Sequence, residues 1–414
     1  MKSATKTPFK IILIIFLFTV FACSSVKTID FETPVDTSNK IIKKQERKTY
    51  NLKDVGIYAS NEFEGARLNG FKIENDSTVL VFINPENIPI NNSAYYAFKT
   101  WSDSPKNFYY KFQYPKGYKH RYIPKIKTGD DWRIIDSTQI FKKDTIVTIK
   151  LSLTETPITV AAQEIQSSID VTNWFTELSK NKEDYYQIKN VGKTTLNRNI
   201  PVLDISIGNN KNKDIIVLLT RQHPPEVTGY YAFQSFLDRI LNGSKLSQQF
   251  LKKYRILAFP IMNPDGVDLG HWRHNAGGVD LNRDWSLYNQ PEIKNVVKYI
   301  DRALKKNNSK LVLGLDFHST WYDVFYTNAE RESTALPNFV SDWFSALEKN
   351  ITDYKVNEAS ANSKKPTSKG WFLNGKHAVG ITFEIGDKTK KEDIKIIGNI
   401  AADQMMNILL NNNY

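Results

Sequence analysis

Two histidines and two glutamates stand at the ends of three separate strand-like runs. His223 and Glu226 lie in "TRQHPPEVTGYYAF", directly after the apolar, β-branched run "DIIVLLT". His318 follows "LVLGLDF", and Glu384 closes "VGITFE". A lone imidazole and carboxylate three positions apart are weak evidence, because such pairs arise by accident. Three strands that bring such groups to one sheet edge carry more weight, since ligands of open α/β sheets collect at the carboxyl ends of strands. Two imidazoles and one carboxylate make a three-ligand zinc site whose fourth position is left to water. Pro224 and Pro225 stiffen the strand-to-helix turn, where a helix start tolerates a missing N–H. Asp280 and Asp316 are available to accept the second ring N–H of a ligand imidazole.

The elements that must position these groups show in the pattern around them. Strand candidates are "NIPVLDISIG", "DIIVLLT", "YRILAFPIM", "KLVLGLDF" and "HAVGITFE". They alternate with helical spacings in "SIDVTNWFTELSKN", "VTGYYAFQSFLDRIL", "QPEIKNVVKYIDRALKKN" and "LPNFVSDWFSALEKN". Such alternation predicts an α/β domain over residues 161–414, its mixed or largely parallel sheet covered by helices on both faces. Residues 51–160 read differently. Short alternating runs such as "STVLVFI", "NFYYKFQY" and "DTIVTIKLSLT" are separated by turn signals such as "NPEN", "SDSPKN" and "KTGDD". That texture predicts a smaller β-sandwich. Its many aromatics are expected mainly as core and cross-strand pairs, a carbohydrate-binding face being the alternative.

The chain's 414 residues suffice for two domains with proper cores, and 41% hydrophobic and 12% aromatic content marks a globular protein. A formal charge of +12 raises the question of nucleic acid. The Lys and Arg residues are scattered, however, with no zinc finger, RRM-like or basic-helix signature, so no nucleic-acid partner is expected. At the N-terminus, basic "MKSATKTPFK" precedes "IILIIFLFTVFA", too short to span a bilayer comfortably and suited to a signal peptide over residues 1–22. "VFAC" resembles a bacterial lipobox that ends at Cys23, the single cysteine. The expectation is an envelope lipoprotein, anchored to the membrane through lipid on Cys23, with plain secretion as the alternative. Residues 23–50 are polar, lack sustained periodicity and read as the lipidated N-terminus and a tether.

"HPPE", "NPDG", "WRHNAGGVDLNRDW", "QPE", "DFHS" and "TFEIGD" follow one another in this order. The order resembles that of zinc metallocarboxypeptidases of the carboxypeptidase A superfamily, and the resemblance covers residues 165–410. The preceding β-rich segment is similar to the N-terminal domain of cytosolic carboxypeptidases. The resemblance implies one zinc per chain held by His223, Glu226 and His318. Glu384 would be the general base and proton shuttle, and Arg273 would polarise the scissile carbonyl. Asn282 and Arg283 would grip the terminal carboxylate of a peptide or protein, and Asp280 would orient the first histidine ligand. The chemistry is coherent in itself: zinc brings water toward ionisation, a carboxylate takes the proton, and an arginine meets the developing oxyanion. An Arg beside an Asn reads a carboxylate through charge-assisted hydrogen bonds, which enforces trimming at a chain end.

One family feature is missing. Members usually carry a mobile tyrosine on the loop before the last catalytic strand, and "NEASANSKKPTSKGWFLNGKH" has none; Tyr354 lies too far upstream. In the same stretch Lys369 precedes Trp371 by two positions, where the family places a specificity residue. A lysine at a pocket floor would favour C-terminal Glu or Asp; the alternative is a solvated loop with Lys369 pointing outward. The overall expectation is a zinc-dependent carboxypeptidase. Alternatives with the same zinc site are a peptidoglycan stem-peptide carboxypeptidase and an N-acyl amino acid amidohydrolase. An alternative of another class is a glycan- or protein-binding lipoprotein with an idle catalytic fold.

Overall fold

The computed structural model describes residues 27–411. The expected signal peptide and Cys23 lie outside the described residues. Among the described residues no helix is long and apolar enough to cross a membrane.

Among the described residues, eleven strands precede the first α-helix: β1 (Thr49–Leu52), β2 (Ile57–Ser60), β3 (Gly70–Asn75), β4 (Thr78–Phe82), β5 (Ala97–Ser102), β6 (Lys106–Gln113), β7 (Lys125–Thr128), β8 (Asp131–Ile134), β9 (Ile140–Lys143), β10 (Ile146–Leu153) and β11 (Ile158–Ala161). They form two sheets, β1-β2-β5-β11-β7-β8 and β3-β4-β6-β10-β9. Side chains of a strand alternate between faces. Phe108, Tyr110 and Phe112 of β6, and Val147, Ile149, Leu151 and Leu153 of β10, therefore all turn into one shared core. Tyr96, Phe98 and Tyr122 join them there. The aromatics are thus mainly core, which removes most of the platform that a carbohydrate-binding face would need.

The second unit is an α/β domain. Its helices are α1 (Ser168–Ser179), α2 (Val227–Ile240), α3 (Lys245–Lys253), α4 (Pro264–Asp268), α5 (Pro291–Asn307), α6 (Phe339–Asn350), α7 (Ser368–Lys376) and α8 (Lys391–Asn411). Its strands are β12 (Tyr186–Lys193), β13 (Asn199–Ile205), β14 (Asp214–Thr220), β15 (Tyr254–Phe259), β16 (Leu311–Thr320), β17 (Val324–Thr327), β18 (Glu358–Ser360) and β19 (Val379–Gly386). The sheet runs β12-β13-β15-β14-β16-β19-β17-β18. Its centre, β15-β14-β16-β19, is parallel, and antiparallel pairs flank it on both sides. One face packs on α2, α6 and α8, the other on α5 and α7, so the central strands are buried along most of their length. The near-continuous apolar runs of β14 and β16 follow from that double coverage. The strands absent from the sequence reading, β12, β17 and β18, lie at the sheet's margins. β12 is largely exposed and β18 is three residues long, so neither carries an apolar pattern.

Residues 27–48 correct the expectation of a tether. They form a strap fastened along the α/β domain and into the gap between domains. Ser286 Oγ donates to the Ile29 carbonyl (2.6 Å), Thr37 Oγ1 to Asp284 Oδ1 (2.5 Å) and Gln290 Nε2 to the Thr37 carbonyl (2.7 Å). Further along, Lys40 N–H reaches Gly277 (2.8 Å), Lys43 N–H reaches Glu86 (2.6 Å) and Arg47 reaches Asp268 (3.0 Å), each at the main-chain carbonyl. A polar segment held through its main chain shows no apolar period, which is why it reads as loose. Thr37→Val removes the donor to buried Asp284 and is expected to cost about 1 kcal/mol. Urea unfolding measures that loss, and limited proteolysis should cut the strap sooner in the variant than in the parent.

Candidate metal centre

β14 ends at Thr220, and the chain turns through Arg221, whose φ of 58° lies in the left-handed region. The buried Arg221 guanidinium donates to the carbonyls of Pro224 (2.9 Å) and Gln166 (3.1 Å) and lies over the Tyr230 ring, which pins the "HPPE" turn. Glu226 occupies the residue before α2, yet its side chain makes no capping bond. It points instead at His318, carried by the neighbouring strand β16. Gly229 lets helix and strand approach: a Cβ there would lie 2.2 Å from the His318 carbonyl oxygen. The parallel register of β16 and β19 sets His318 opposite Glu384. Three chain segments therefore deliver four functional side chains to one sheet edge.

Each ligand imidazole is oriented from behind by a carboxylate. His223 Nε2 lies 2.9 Å from Asp280, and His318 Nε2 lies 2.9 Å from Asp316. With a cation bound, protons on the two Nε2 atoms would satisfy those acids and leave both Nδ1 lone pairs facing inward. There Glu226 approaches His223 Nδ1 at 2.8 Å and His318 Nδ1 at 2.6 Å, while the two Nδ1 atoms lie 3.2 Å apart. The ligand atoms of all three residues fall within 4.8 Å of one another. Two imidazole nitrogens and a carboxylate, converging in a buried site, form the donor set of a divalent cation with nitrogen and oxygen preference. The residues fit zinc. Asp316 is itself held by Gln222 Nε2 (2.5 Å) and Ser368 Oγ, so the orienting shell is continuous with the core.

The other expected residues gather in the same cavity of about 550 Å³. Glu384 Oε2 has no hydrogen-bond partner, and burial together with nearby Glu226 raises the Glu384 carboxyl to about 8. Arg273 donates through Nε to Asp280 Oδ2 at 2.8 Å. Burial would weaken its charge, but Asp280 and Glu226 outweigh that and raise its pKa. Asn282 sits in the short turn Leu281–Arg283, its N–H bonded to Asp280 Oδ1 (2.9 Å) and its side-chain oxygen to Ser368 N–H (2.9 Å). Arg283 donates to the Asn282 carbonyl (2.6 Å), lies 3.9 Å from Asp280 and lines the cavity.

Lys369 is only 8% exposed, so it does not point outward into solvent. It lies on α7, lines the cavity, and donates to the carbonyls of Thr327 (2.8 Å) and Ala361. Burial, with Arg331 nearby, lowers its pKa to about 8. Sequence reasoning missed several wall residues. Tyr326 of β17, 36% exposed, lines the cavity close enough for Glu384 to raise its phenol pKa, after burial. A wall from the β-sandwich adds Asn92, Ser93, Lys119 and Arg121. Arg121 pairs with Asp387 (2.9 Å) and stacks on Trp321. No local spacing announces these residues, because strand pairing or domain packing brings them in.

The sequence profile of the zinc carboxypeptidases (Peptidase_M14) matches residues 171–403. The chain belongs to that family. Among relatives, it is 25% identical to cytosolic carboxypeptidase 6 of Mus musculus over 154 residues, which is 36% of this chain and 28% of the mouse protein. It is 23% identical to the Caenorhabditis elegans cytosolic carboxypeptidase 6 over 212 residues, 47% of this chain and 46% of that one. The chain thus matches less than half the length of either. Among solved structures, the metallo-carboxypeptidase of Burkholderia cenocepacia superposes with a TM-score of 0.69 at 16% identity, covering 86% of this chain and 98% of that one. The Pseudomonas aeruginosa metallo-carboxypeptidase, solved with (2-guanidinoethylmercapto)succinic acid, gives 0.66 at 16% identity, covering 85% and 98%. Coverage of this extent means that the sandwich and the α/β domain share one architecture with those proteins. Zinc carboxypeptidases use a zinc ion, and His223, Glu226 and His318 are the residues that would hold it here.

His223→Ala or His318→Ala is expected to remove most of about one bound zinc per chain, read by metal analysis of the purified protein. Asp280→Asn and Asp316→Asn keep the ligands but disturb their orientation, and should weaken zinc affinity about 10- to 100-fold in a chelator competition. Full occupancy in the histidine variants would refute the ligand set.

Proposed function

We propose that the protein is a zinc-dependent carboxypeptidase that hydrolyses the C-terminal peptide bond of peptides or proteins and favours acidic terminal residues. The observation that carries this reading is the convergence of the donor set, the unpartnered Glu384 carboxylate and a cationic carboxylate clamp in one cavity. Bound zinc supplies a Lewis acid and brings water toward ionisation near neutral pH. Glu384 takes the proton of the attacking water and returns it to the departing amine. Without a cation, burial beside Glu226 raises its pKa; the positive charge of bound zinc would oppose that shift and keep the carboxylate ionised to accept the proton. Arg273, locked by Asp280, offers its free guanidinium nitrogens to the oxyanion that develops at the scissile carbonyl. Asn282 and Arg283 receive the terminal carboxylate, which selects chain ends.

Lys369 supports the acidic preference. Its ammonium is buried in the cavity wall, and its hydrogen-bond acceptors, the Thr327 and Ala361 carbonyls, are neutral and leave its charge uncancelled. A desolvated cation of this kind rewards an acidic side chain and penalises an apolar one. The N-terminal run ending at Cys23 supports a lipid-anchored place in a bacterial envelope. Cys23→Ser is the test of that placement: unchanged membrane partition with normal processing would refute it.

Glu384→Gln should retain zinc and fold but lose hydrolysis by orders of magnitude, measured as kcat on a free C-terminal peptide. Arg283→Ala should chiefly raise KM, and an amidated peptide should be cut poorly by the parent. Equal cutting of amidated and free peptides would refute the exopeptidase reading. The Lys369 charge is present below its pKa of about 8 and lost above it. The ratio of kcat/KM for Glu-ending over Leu-ending peptides should therefore fall as pH rises through 8, and stay flat in Lys369→Ala. A pH-independent ratio in the parent would refute the pocket role of Lys369.

A further inference from the structure

Glu86 belongs to "NPEN", a turn of the β-sandwich that has no part in the chemistry described so far. Its side chain is fully buried where the sandwich meets the α/β domain. The carboxylate accepts three consecutive main-chain N–H groups from the other domain. Oε2 takes Trp272 (2.8 Å), and Oε1 takes Arg273 (3.0 Å) and His274 (2.7 Å). Arg67, also buried, lies 3.6 Å from Oε2 and donates through Nε to the Gly270 carbonyl at 2.8 Å. The next residue continues the grip. Asn87 Oδ1 meets His274 Nδ1 (2.6 Å), and Asn87 Nδ2 donates to the Gly278 carbonyl (2.9 Å). The Trp272 side chain is meanwhile packed into the sandwich core.

These bonds fix the backbone on both sides of Arg273 rather than any one side chain. Charge-assisted bonds from buried N–H groups are short and strong, and a buried carboxylate left without them is costly. The loop therefore has one favourable position against the sandwich. From there the connection to the site is direct: Arg273 Nε donates to Asp280 Oδ2, and Asp280 Oδ1 faces His223 Nε2. Displacement of the loop moves the guanidinium that meets the oxyanion.

We propose that Glu86 is a positioning residue for the hydrolysis, a carboxylate of the sandwich that sets Arg273 against the scissile carbonyl. The sandwich is then a working part of the active site. This inference rests on the carboxypeptidase reading for the role of Arg273. It also predicts what a near-isosteric change does. Glu86→Gln can keep the Oε1 contacts, but the new amide would set N–H donors against the Trp272 N–H and the Arg67 guanidinium.

The test uses the full zinc-loaded chain and a free C-terminal peptide. Glu86→Gln should leave zinc content and KM unchanged and lower kcat about 10- to 100-fold, since a shift near 1 Å costs up to about 100-fold. Arg273→Lys should also lose kcat, and the double variant should be no slower than Arg273→Lys alone, because both changes act through one group. Val79→Ala, a buried sandwich-core residue that makes no hydrogen bond to the loop, supplies the structural control: at a comparable loss in Tm it should keep kcat. Unchanged kcat in Glu86→Gln overturns the inference. So does a double variant slower by the product of the single effects, or a Val79→Ala variant that loses kcat equally. If Glu86→Gln does not fold, Glu86→Asp is read by the same criteria, and failure of both to fold overturns positioning in favour of a purely structural role. A zinc-loaded parent that cleaves no peptide overturns the function and this inference together, whereas an active parent with an indifferent Glu86→Gln overturns this inference alone.

Discussion

Two imidazole lone pairs and a carboxylate pointed at one another repel unless positive charge lies among them. The nitrogens of His223 and His318 stand 3.2 Å apart with Glu226 against both, so the buried site favours a positive charge placed among them. A proton on one ring supplies part of that charge; a divalent ion would meet all three donors at once. The arrangement is held from behind by buried polar contacts. Asp280 and Asp316 hold the outer ring nitrogens, Arg221 fastens the turn, and the missing side chain of Gly229 admits α2 close to β16. The sheet's parallel centre then sets Glu384 beside His318 by register alone.

The rest of the molecule bears on that centre through one loop and one short turn. The loop around Arg273 is gripped from the sandwich by Glu86 and Asn87. The turn carrying Asn282 and Arg283 ends at Asp284, which the strap reaches through Thr37. Asp280 stands between them and bonds Arg273, the Asn282 N–H and His223 at once. The sandwich and the strap are therefore not appendages of a self-sufficient catalytic unit. They fix the two segments that hold the cationic side of the cavity, while the parallel strands fix the metal side.

This division explains what is legible in the sequence. The residues on the metal side end buried strands, and strands of that kind show as apolar runs, so His223, His318 and Glu384 can be placed at one edge by pattern. Asp280 and Asp316 follow as acceptors for the ring N–H groups. Lys369 can be singled out as a residue, but its direction stays open, since "SKKPTSK" suits a solvated loop equally well. Its burial is decided by the carbonyls of Thr327 and Ala361, which belong to other segments of the chain. Tyr326 escapes because its strand is four residues long and pairs with β19 rather than with a sequence neighbour. Glu86 and Arg121 escape for a stronger reason: a turn glutamate and a surface-like arginine acquire their meaning only when one domain packs on the other.

Net charge is similarly uninformative until it is resolved locally. The formal +12 is spread over the chain and predicts little more than attraction to anions. Inside the cavity the charges largely pair. Arg273 is matched by Asp280 and Arg121 by Asp387, while a bound divalent cation would balance Glu226 and Glu384. What remains is Lys369 on one wall, Lys119 on the other and the share of Arg283 that Asp280, already bonded to Arg273, does not neutralise. On the proposed reading, a terminal residue would bring one carboxylate to the clamp, and an acidic side chain would bring a second to Lys369. The positive remainder thus lies on the walls, separate from the metal ligands, and under the proposed function it would attract an acidic substrate without placing another carboxylate on them.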